Sequence, residues 1–376
     1  MSKLQALIDH QNFKNFEEVT DFFEEGMDFK VKEEGDYYML CYTPKSDLTN
    51  FFIRECNFPI IDKRTNKVVH YFSPKHYNGF EGTIDESDLI SVDKISERAK
   101  IVMYIEGSLI KLFYDETSET WNVATSRSIN AACSFWGSNK SFKELFYECA
   151  VSSNNCSYDE FLETLDKNCC YSFLIQHPEN ISTMKNTAPS LVNMNKVNTT
   201  SFKEEHSDLG FYTVDKNLEY ILENRVNDYM SYMVYDFDKD GKVTNKVKII
   251  SKKYLDTQAW LSNQPDIGLS YIDILREKNK KLGEEFIKFF HDYDDIFTEI
   301  NYRIEDAIDI IYDIYCLKYY KNEHKLHVDR KYYTIVRELR INCNKNKKKL
   351  KKSEIIHKIL GLSVRHIAYV IQYKKN

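Results

Sequence analysis

The spacing of apolar positions changes from helical to strand-like early in the chain. Over residues 1–25 apolar side chains recur every three or four positions, which predicts a helix. Tyr38–Tyr42 and Phe51–Ile53 are short β-prone runs, so both are predicted strands. Residues 60–69 hold two apolar arms around a polar turn and predict a hairpin.

A second group of strands and two helices are predicted in the middle of the chain. The helical pattern of residues 141–166 is broken by a polar stretch at 152–157, and residues 182–208 are polar enough to predict a long loop. The predicted strands are Ile101–Ile105, Ser108–Tyr114, Trp121–Ser126 and Tyr171–Gln176.

The last third of the chain changes from strands to helices. A hairpin is predicted from Met230 to Ile250, and beyond Tyr271 aromatic and Ile residues recur at spacings of three and four. We therefore place a domain boundary near residues 265–275, which gives domains of residues 1–270 and 271–376.

Charge is distributed unevenly between the body and the C-terminal end. Residues 321–376 hold 16 Lys and Arg against four Asp and Glu, a net of +12, so the first 320 residues sum to −18 in a chain of −6. A basic end favours an anionic partner, but a solvated helical face that balances the acidic body is an equal alternative. The sequence contains no Cys-x-x-Cys pair, so no thiolate zinc site is predicted. It also contains no long apolar run, so no membrane segment is predicted. We expect reduced thiols and a cytosol-like compartment.

A Glu-Gly-Ser corner between two predicted strands, at residues 106–108, carries the most specific signal. It resembles nucleotidyl motif I of RNA ligases of the T4 RNA ligase 1 type, members of the covalent nucleotidyltransferase superfamily. In that family a Lys two positions before the acidic residue attacks the α-phosphate of ATP. Here that position is Tyr104, while Glu106, Gly107 and Ser108 match.

Further segments resemble the family's other motifs in the same order. Residues 52–62 resemble its Glu-Cys-Arg-Gly strand, with Asn57 in place of the Arg and Arg54 close by. Residues 70–78 resemble its Pro-Lys-Phe-Phe-Asn turn. Residues 121–128 resemble the segment that places a basic residue, here Arg127, beside the nucleotide.

Motifs III to V are retained unequally. Residues 171–180 resemble motif III, which implies that Phe173 lies on the adenine face, but its Glu is replaced by Leu174. Motif IV is expected near residues 229–234 and lacks its carboxylate. Lys246 and Lys248 match motif V; being two apart on a strand they share one face, and we expect their ammonium groups within roughly 10 Å of the Tyr104 hydroxyl, about one Debye length.

The resemblance implies an α+β fold in which antiparallel sheets surround a nucleotidyltransferase cleft, followed by an all-α C-terminal domain. It implies ATP or AMP as the bound nucleotide, whereas the missing carboxylates argue against Mg²⁺ and any other metal. No catalytic residue is predicted, since Tyr cannot form the lysyl adduct. The implied nucleotide-binding residues are Glu106, Gly107, Arg127, Phe173, Lys246 and Lys248.

Three functions follow from these departures. The first is a catalytically inactive relative of RNA ligase that binds RNA or nucleotide, as in ligase-like proteins of large cytoplasmic DNA viruses. The second is an active ATP-dependent RNA ligase with a displaced nucleophile, for which Lys100 and Lys111 are the nearest lysines. The third is a protein–protein adaptor or virion component whose cleft is empty.

Residues 236–245 match the first six positions of an EF-hand calcium loop. Position twelve is Val247, where a bidentate Glu is required, and the flanks have strand patterns. A polar hairpin turn is therefore the favoured interpretation.

The C-terminal tail combines a lysine run with two short predicted helices. Ser353 is the expected N-cap of the first, and Gly361-Leu-Ser363 separates it from the second. This corner resembles a helix-turn-helix, but the capped end of a helical bundle is the favoured interpretation. RNA or DNA is the expected partner of the tail, and the host cytoplasm or virion the expected location, with other viral proteins as further partners and no membrane contact. The expected phosphate contacts are Lys345, Lys347, Lys348, Lys349, Lys351, Lys352 and Arg365.

Overall fold

The chain forms two compact units, residues Met1–Leu255 and Asp256–Asn376. The change to helical structure therefore comes earlier than the 265–275 boundary expected from the sequence. The computed structural model describes residues 3–48, 50–72, 77–78, 99–135, 137–180, 186–205, 232–237, 243–249, 252–261, 264, 266–277, 279–321, 323 and 326–374.

Two helices and a four-stranded antiparallel sheet form the start of the first unit. The predicted N-terminal helix is two helices, because Asn12 has a left-handed backbone and the Asn15 side chain accepts a hydrogen bond from the Glu18 N–H to begin the second. The predicted 60–69 hairpin is confirmed. The elements are α1 (Lys3–Gln11), α2 (Phe16–Met27), β1 (Phe29–Glu34), β2 (Tyr37–Tyr42), β3 (Ile60–Asp62) and β4 (Lys67–His70).

The strand predicted at Phe51–Ile53 is instead a short helix, α3 (Phe51–Glu55). The Asn50 side chain accepts a hydrogen bond from the Phe52 N–H at 2.9 Å and thereby caps the first turn. Short apolar runs do not distinguish a strand from a helix by periodicity, and here the cap decides.

A five-stranded antiparallel sheet in the order β11-β10-β9-β7-β8 follows, with two helices on one face. The loop predicted for residues 182–208 contains a strand, β10, which pairs with β9 along its whole length and has a bulge between Asn193 and Asn195. The elements are β7 (Ser108–Asp115), β8 (Thr120–Thr125), α4 (Phe142–Asn154), α5 (Tyr158–Glu163), β9 (Cys169–Gln176), β10 (Ser190–Asn198) and β11 (Glu204–Glu205).

The third sheet has the order β5-β13-β12-β6. The predicted hairpin is confirmed in its two arms, β12 and β13, which pair antiparallel; an EF-hand would require helices there. The turn itself, residues 238–242, lies outside the described residues. The strands are β5 (Tyr77–Asn78), β6 (Lys100–Met103), β12 (Tyr232–Phe237) and β13 (Val243–Ile249).

The first two sheets face each other across a buried layer. Met39 and Ile60 of the first sheet pack against Phe113, Ala124 and Cys170 of the second. The other face of each sheet is covered by helices, α1 and α2 on one side and α4 and α5 on the other. The predicted α+β class with antiparallel sheets is thus present.

The second unit is helical, as predicted for the end of the chain. A long helix, α9, packs against α7, α10 and α11. The elements are α6 (Lys252–Trp260), which spans the division between the units, α7 (Ile267–Arg276), α8 (Lys280–Phe289), α9 (Asp294–Tyr319), α10 (Arg330–Lys345), α11 (Lys352–Leu360) and α12 (Val364–Val370).

Candidate nucleotide site at the junction of two sheets

The Glu-Gly-Ser corner connects the third sheet to the second. β6 ends at Met103 and pairs with β12, while β7 begins at Ser108 and pairs with β9. Residues 104–107 therefore cross from one sheet to the other, so a side chain here can reach groups on both.

Side chains from the end of β9 and from the residues just after it fix this corner. The Gln176 amide donates to the Glu106 carbonyl at 2.9 Å, and the Asn180 amide donates to the Ser108 hydroxyl at 2.6 Å. A Cβ on Gly107 would lie 2.8 Å from the Ile175 carbonyl oxygen, closer than real Cβ contacts. Gly107 is therefore required by the close approach of two backbones.

Lys248 of β13 lies directly over the ring of Tyr104. Its ammonium nitrogen is 3.5 Å from the ring centroid, a cation–π contact, and Lys248 is 8% exposed. The lysine therefore lies within the roughly 10 Å expected from the Tyr104 hydroxyl. Burial, followed by the nearby Glu106 carboxylate, raises the pKa of Tyr104 to about 12, so the phenol stays neutral at physiological pH.

The strand register explains which side chains share this face. Lys248 is opposite Met233, and Lys246 is opposite Tyr235. Met233 and Tyr235 pack with Val102 and Tyr104, whereas Val247 packs with the apolar side chains of the other face. Val247 and Lys248 thus lie on opposite faces of β13, as expected, and the Lys246 side chain lies outside what the structure describes.

Arg127 lies at the same end of the second sheet as the corner, since Thr125 pairs with Ile110. Its side chain is exposed, and its carbonyl accepts a hydrogen bond from the Lys32 ammonium at 2.6 Å. Its charge reaches Cys41, where it acts to lower a thiol pKa that burial raises. No contact between Arg127 and Tyr104 is present among the described side chains.

Phe173 does not occupy the position that the resemblance implies. It is 2% exposed, and its ring packs against Phe146 and Phe161 on the helix-covered face of the second sheet. A ring enclosed in this way has no free face for an adenine. Leu174, its neighbour on the strand, points to the opposite face.

Lys111 of β7 is fully buried between the first two sheets. Its ammonium donates to the Phe58 carbonyl and lies 5.5 Å from the Phe58 ring centroid. Burial lowers the pKa of Lys111 to about 7. His70, also fully buried nearby, has its pKa lowered by burial and by the Lys111 charge, and its Nε2 lies 3.2 Å from the Ser172 hydroxyl.

A cavity of about 360 Å³ lies at the far end of β7 from the corner. Tyr37, Asp62, Asp115 and Lys167 are among its lining residues, and none of the predicted nucleotide-binding residues is. Arg64, beside it, bridges Asp62 and Asp115 at 2.5 and 3.2 Å. Within the part of the chain that the structure describes, no group of three His, Cys, Asp or Glu side chains could hold a metal ion.

The sequence alone did not predict that Gln176 and Asn180 hydrogen-bond to the corner at residues 106–108, or that Lys111 is buried. Gln176 and Asn180 contact the corner from about 70 residues away in the chain, and only the likeness of residues 171–180 to motif III indicated a role for this segment. The signal for Lys111 was its position inside an apolar run, Leu109–Phe113, on a central strand.

Comparison with known proteins gives a distant viral relative but no family. No family model matches the chain. A segment is 29% identical over 130 residues to the immediate-early protein ICP-46 homolog of Invertebrate iridescent virus 3, covering 34% of this chain and 29% of that protein. The chain thus aligns with less than a third of its relative. Among the helices that the structure describes, none has the length and apolar character needed to cross a membrane.

Proposed function

We propose that the first unit is an RNA- or nucleotide-binding domain of the nucleotidyltransferase type that does not form a covalent nucleotide adduct. One observation carries this proposal: the ammonium of Lys248 lies on the ring of Tyr104, at the position where the resembling enzymes have their nucleophilic lysine. The phenol of Tyr104 can donate a hydrogen bond to a phosphate but, having no amine, cannot itself form the phosphoramidate that the resembling enzymes form at this position.

The bound group is a nucleotide phosphate, free ATP or AMP or the end of an RNA strand. Lys248 supplies the charge and the Tyr104 hydroxyl a hydrogen bond, while the Glu106 carboxylate, on the fixed corner, accepts from a ribose hydroxyl. Arg127 and Lys246 complete the proposed contacts. Mg²⁺ is left out of the proposal because Leu174 stands where a carboxylate is needed.

An active ligase that uses a displaced lysine is the second candidate, and Lys111 is the residue that favours it. A pKa of about 7 leaves much of its amine neutral and nucleophilic near neutral pH. Its complete burial and its hydrogen bond to the Phe58 carbonyl oppose this role, because ATP has no access to it.

The test measures binding and covalent transfer separately. Equilibrium binding of ATP, AMP and a 5′-phosphorylated RNA strand is expected for the full chain, and Lys248→Met is expected to weaken it about tenfold, the effect of roughly 1.4 kcal/mol. The matched control is Lys143→Met, the same change at an exposed position on α4. Labelled ATP followed by a denaturing gel is expected to leave the protein unlabelled.

Two results contradict the proposal in different ways. A labelled band that survives denaturation supports the ligase, and loss of that band in Lys111→Met would identify the displaced nucleophile. Absence of binding to all three ligands supports an adaptor or virion component. A viral source, with the host cytoplasm or virion as location, is part of the proposal and is supported by the iridovirus relative.

A further inference from the structure

The last two helices of the second unit form a compact corner on a third helix. Three residues, 361–363, separate α11 from α12, and both helices pack against α10. A Cβ on Gly361 would lie 3.2 Å from the His357 carbonyl, so glycine suits the tight turn. The Ser363 hydroxyl accepts from the His366 N–H and begins α12.

Apolar side chains hold the two helices in place. Ile355 and Ile359 of α11 and Val364, Ile367 and Val370 of α12 are each less than 9% exposed. The helix pair is therefore packed into the core of the second unit, so deletion of the tail would remove buried apolar side chains as well as positively charged ones.

The C-terminal end of α12 is anchored to other helices of the same unit. The Tyr373 hydroxyl donates to the Asp266 carboxylate at 2.7 Å, and its ring fills the space that the missing side chain of Gly268 leaves. Arg303 of α9 donates to the Gln372 carbonyl at 2.8 Å. These contacts fix the direction of α12 and the face that it exposes.

That exposed face is polar and aromatic. Arg365, His366 and Tyr369 are exposed, and their spacing places them on one side of the helix; Tyr369 is 57% exposed. Arginine and histidine side chains donate to base edges and phosphates, and a tyrosine offers a ring and a hydroxyl.

The lysines around the start of α11 add positive charge to the second unit. Lys348 is paired with Glu354 and Lys352 with Asp309, so these two are partly neutralised. Among the described side chains no acidic group pairs with the other predicted phosphate contacts. These are Lys345, Lys347, Lys349, Lys351 and Arg365.

We propose that α10, α11 and α12 form a helix-turn-helix that binds double-stranded DNA, with α12 in the major groove. The B-DNA major groove, about 12 Å wide, admits a helix, whereas the major groove of double-stranded RNA is too narrow and deep for side chains to read. Arg365 and Tyr369 contact base edges, and the unpaired lysines contact the phosphates. This site is formed by residues of the second unit, whereas the proposed nucleotide site is formed by residues of the first.

The test uses the full chain and a pool of labelled 30-base-pair DNA duplexes of random sequence, about three helical turns. Repeated selection is expected to enrich a short sequence, which then binds more tightly than the starting pool. The Arg365→Ala/Tyr369→Ala variant is expected to lose at least tenfold in affinity for the enriched duplex, and with it the preference for that sequence.

Replacing three lysines tests the phosphate contacts separately. Lys347→Gln/Lys349→Gln/Lys351→Gln is expected to weaken binding to every duplex alike and to flatten the slope of log affinity against log salt by about 2.7. The controls are Tyr302→Ala, which removes a tyrosine that is 69% exposed on α9, and Lys281→Gln/Lys288→Gln on α8.

Three outcomes overturn the inference: unchanged binding by the Arg365→Ala/Tyr369→Ala variant, no enrichment of any sequence, or tighter binding to duplex RNA or single strands of the same length. Lys248→Met is expected to leave DNA binding unchanged. Failure of the nucleotide site can therefore be distinguished from failure of this one.

Discussion

At the scale of single residues, the least expected feature is a lysine inside the core. Lys111 has no exposed surface, and burial, the largest influence on it, lowers its pKa from 10.5 to about 7. The folded chain therefore holds this proton less tightly than the unfolded chain does. Between pH 7 and pH 10.5 unfolding takes up a proton, so stability rises with pH in that window.

Replacing Lys111 by Met is expected to remove this pH dependence. From pH 7 to pH 9 the unfolding free energy of the wild type should rise by about 2 kcal/mol relative to that of Lys111→Met. The reason is that the difference in Lys111 protonation between the unfolded and folded wild type, integrated from pH 7 to pH 9, is roughly 1.7 pH units, and the Met variant lacks this group. Chemical denaturation at both pH values measures the difference. Lys143→Met, at an exposed position, should give a curve parallel to the wild type; a parallel curve for Lys111→Met would show that the ammonium is solvated.

At the scale of elements, the sequence predicted the strands whose apolar residues face a core on both sides. β7 and β9 were predicted from continuous apolar runs, and the β3–β4 hairpin from its polar turn. α3 was predicted as a strand because the cap at Asn50 is a local hydrogen bond that an apolar count does not register. β10 was missed because most of its residues are only half-buried, so its pairing with β9 left a weak pattern.

The candidate site, too, was predicted from the sequence only in part. Tyr104, Glu106 and Lys248 were predicted from motif order, and the structure brings Lys248 onto Tyr104. The core position of Phe173 could not be predicted, because which face of β9 the helices cover is decided by α4 and α5. A strand pattern gives alternation but does not say which side is inside.

The start of β7 requires glycine, which predicts a large effect of Gly107→Ala. The new methyl group would meet the Ile175 carbonyl of β9 at 2.8 Å, so the two strands must separate there. We expect a loss of about 1–3 kcal/mol in the unfolding free energy, the usual cost of overpacking. Gly26→Ala on α2 is the matched control, since its methyl group would meet nothing within 4 Å; equal effects of the two changes would contradict this account of the corner.

At the scale of the whole molecule, positive and negative charge are concentrated in different parts of the chain. The first 320 residues carry a net charge of −18 and residues 321–376 carry +12. An acidic body repels nucleic acid at long range, so we infer that a basic C-terminal region is what brings it to the protein. Binding of nucleic acid by the full chain should consequently depend more on the second unit than on the nucleotide site.

The final prediction is that Tyr104→Lys will not by itself restore adenylylation. Nucleotidyl transfer needs a nucleophile, a phosphate-binding cation and a metal held by carboxylates, and these come from different strands. The substitution supplies only the first.

The neighbouring ammonium of Lys248 would lower the pKa of the new amine and favour its attack, so protonation is not the obstacle. Under the proposed function Leu174 stands where motif III has its carboxylate, so a metal would lack a ligand there. Labelled ATP with Mg²⁺ or Mn²⁺, followed by intact-mass measurement, should show unmodified protein for both Tyr104→Lys and its control Tyr104→Phe. A protein–AMP adduct in the lysine variant alone would mean that the remaining site is complete and that the tyrosine at position 104 is the single change that prevents adenylylation.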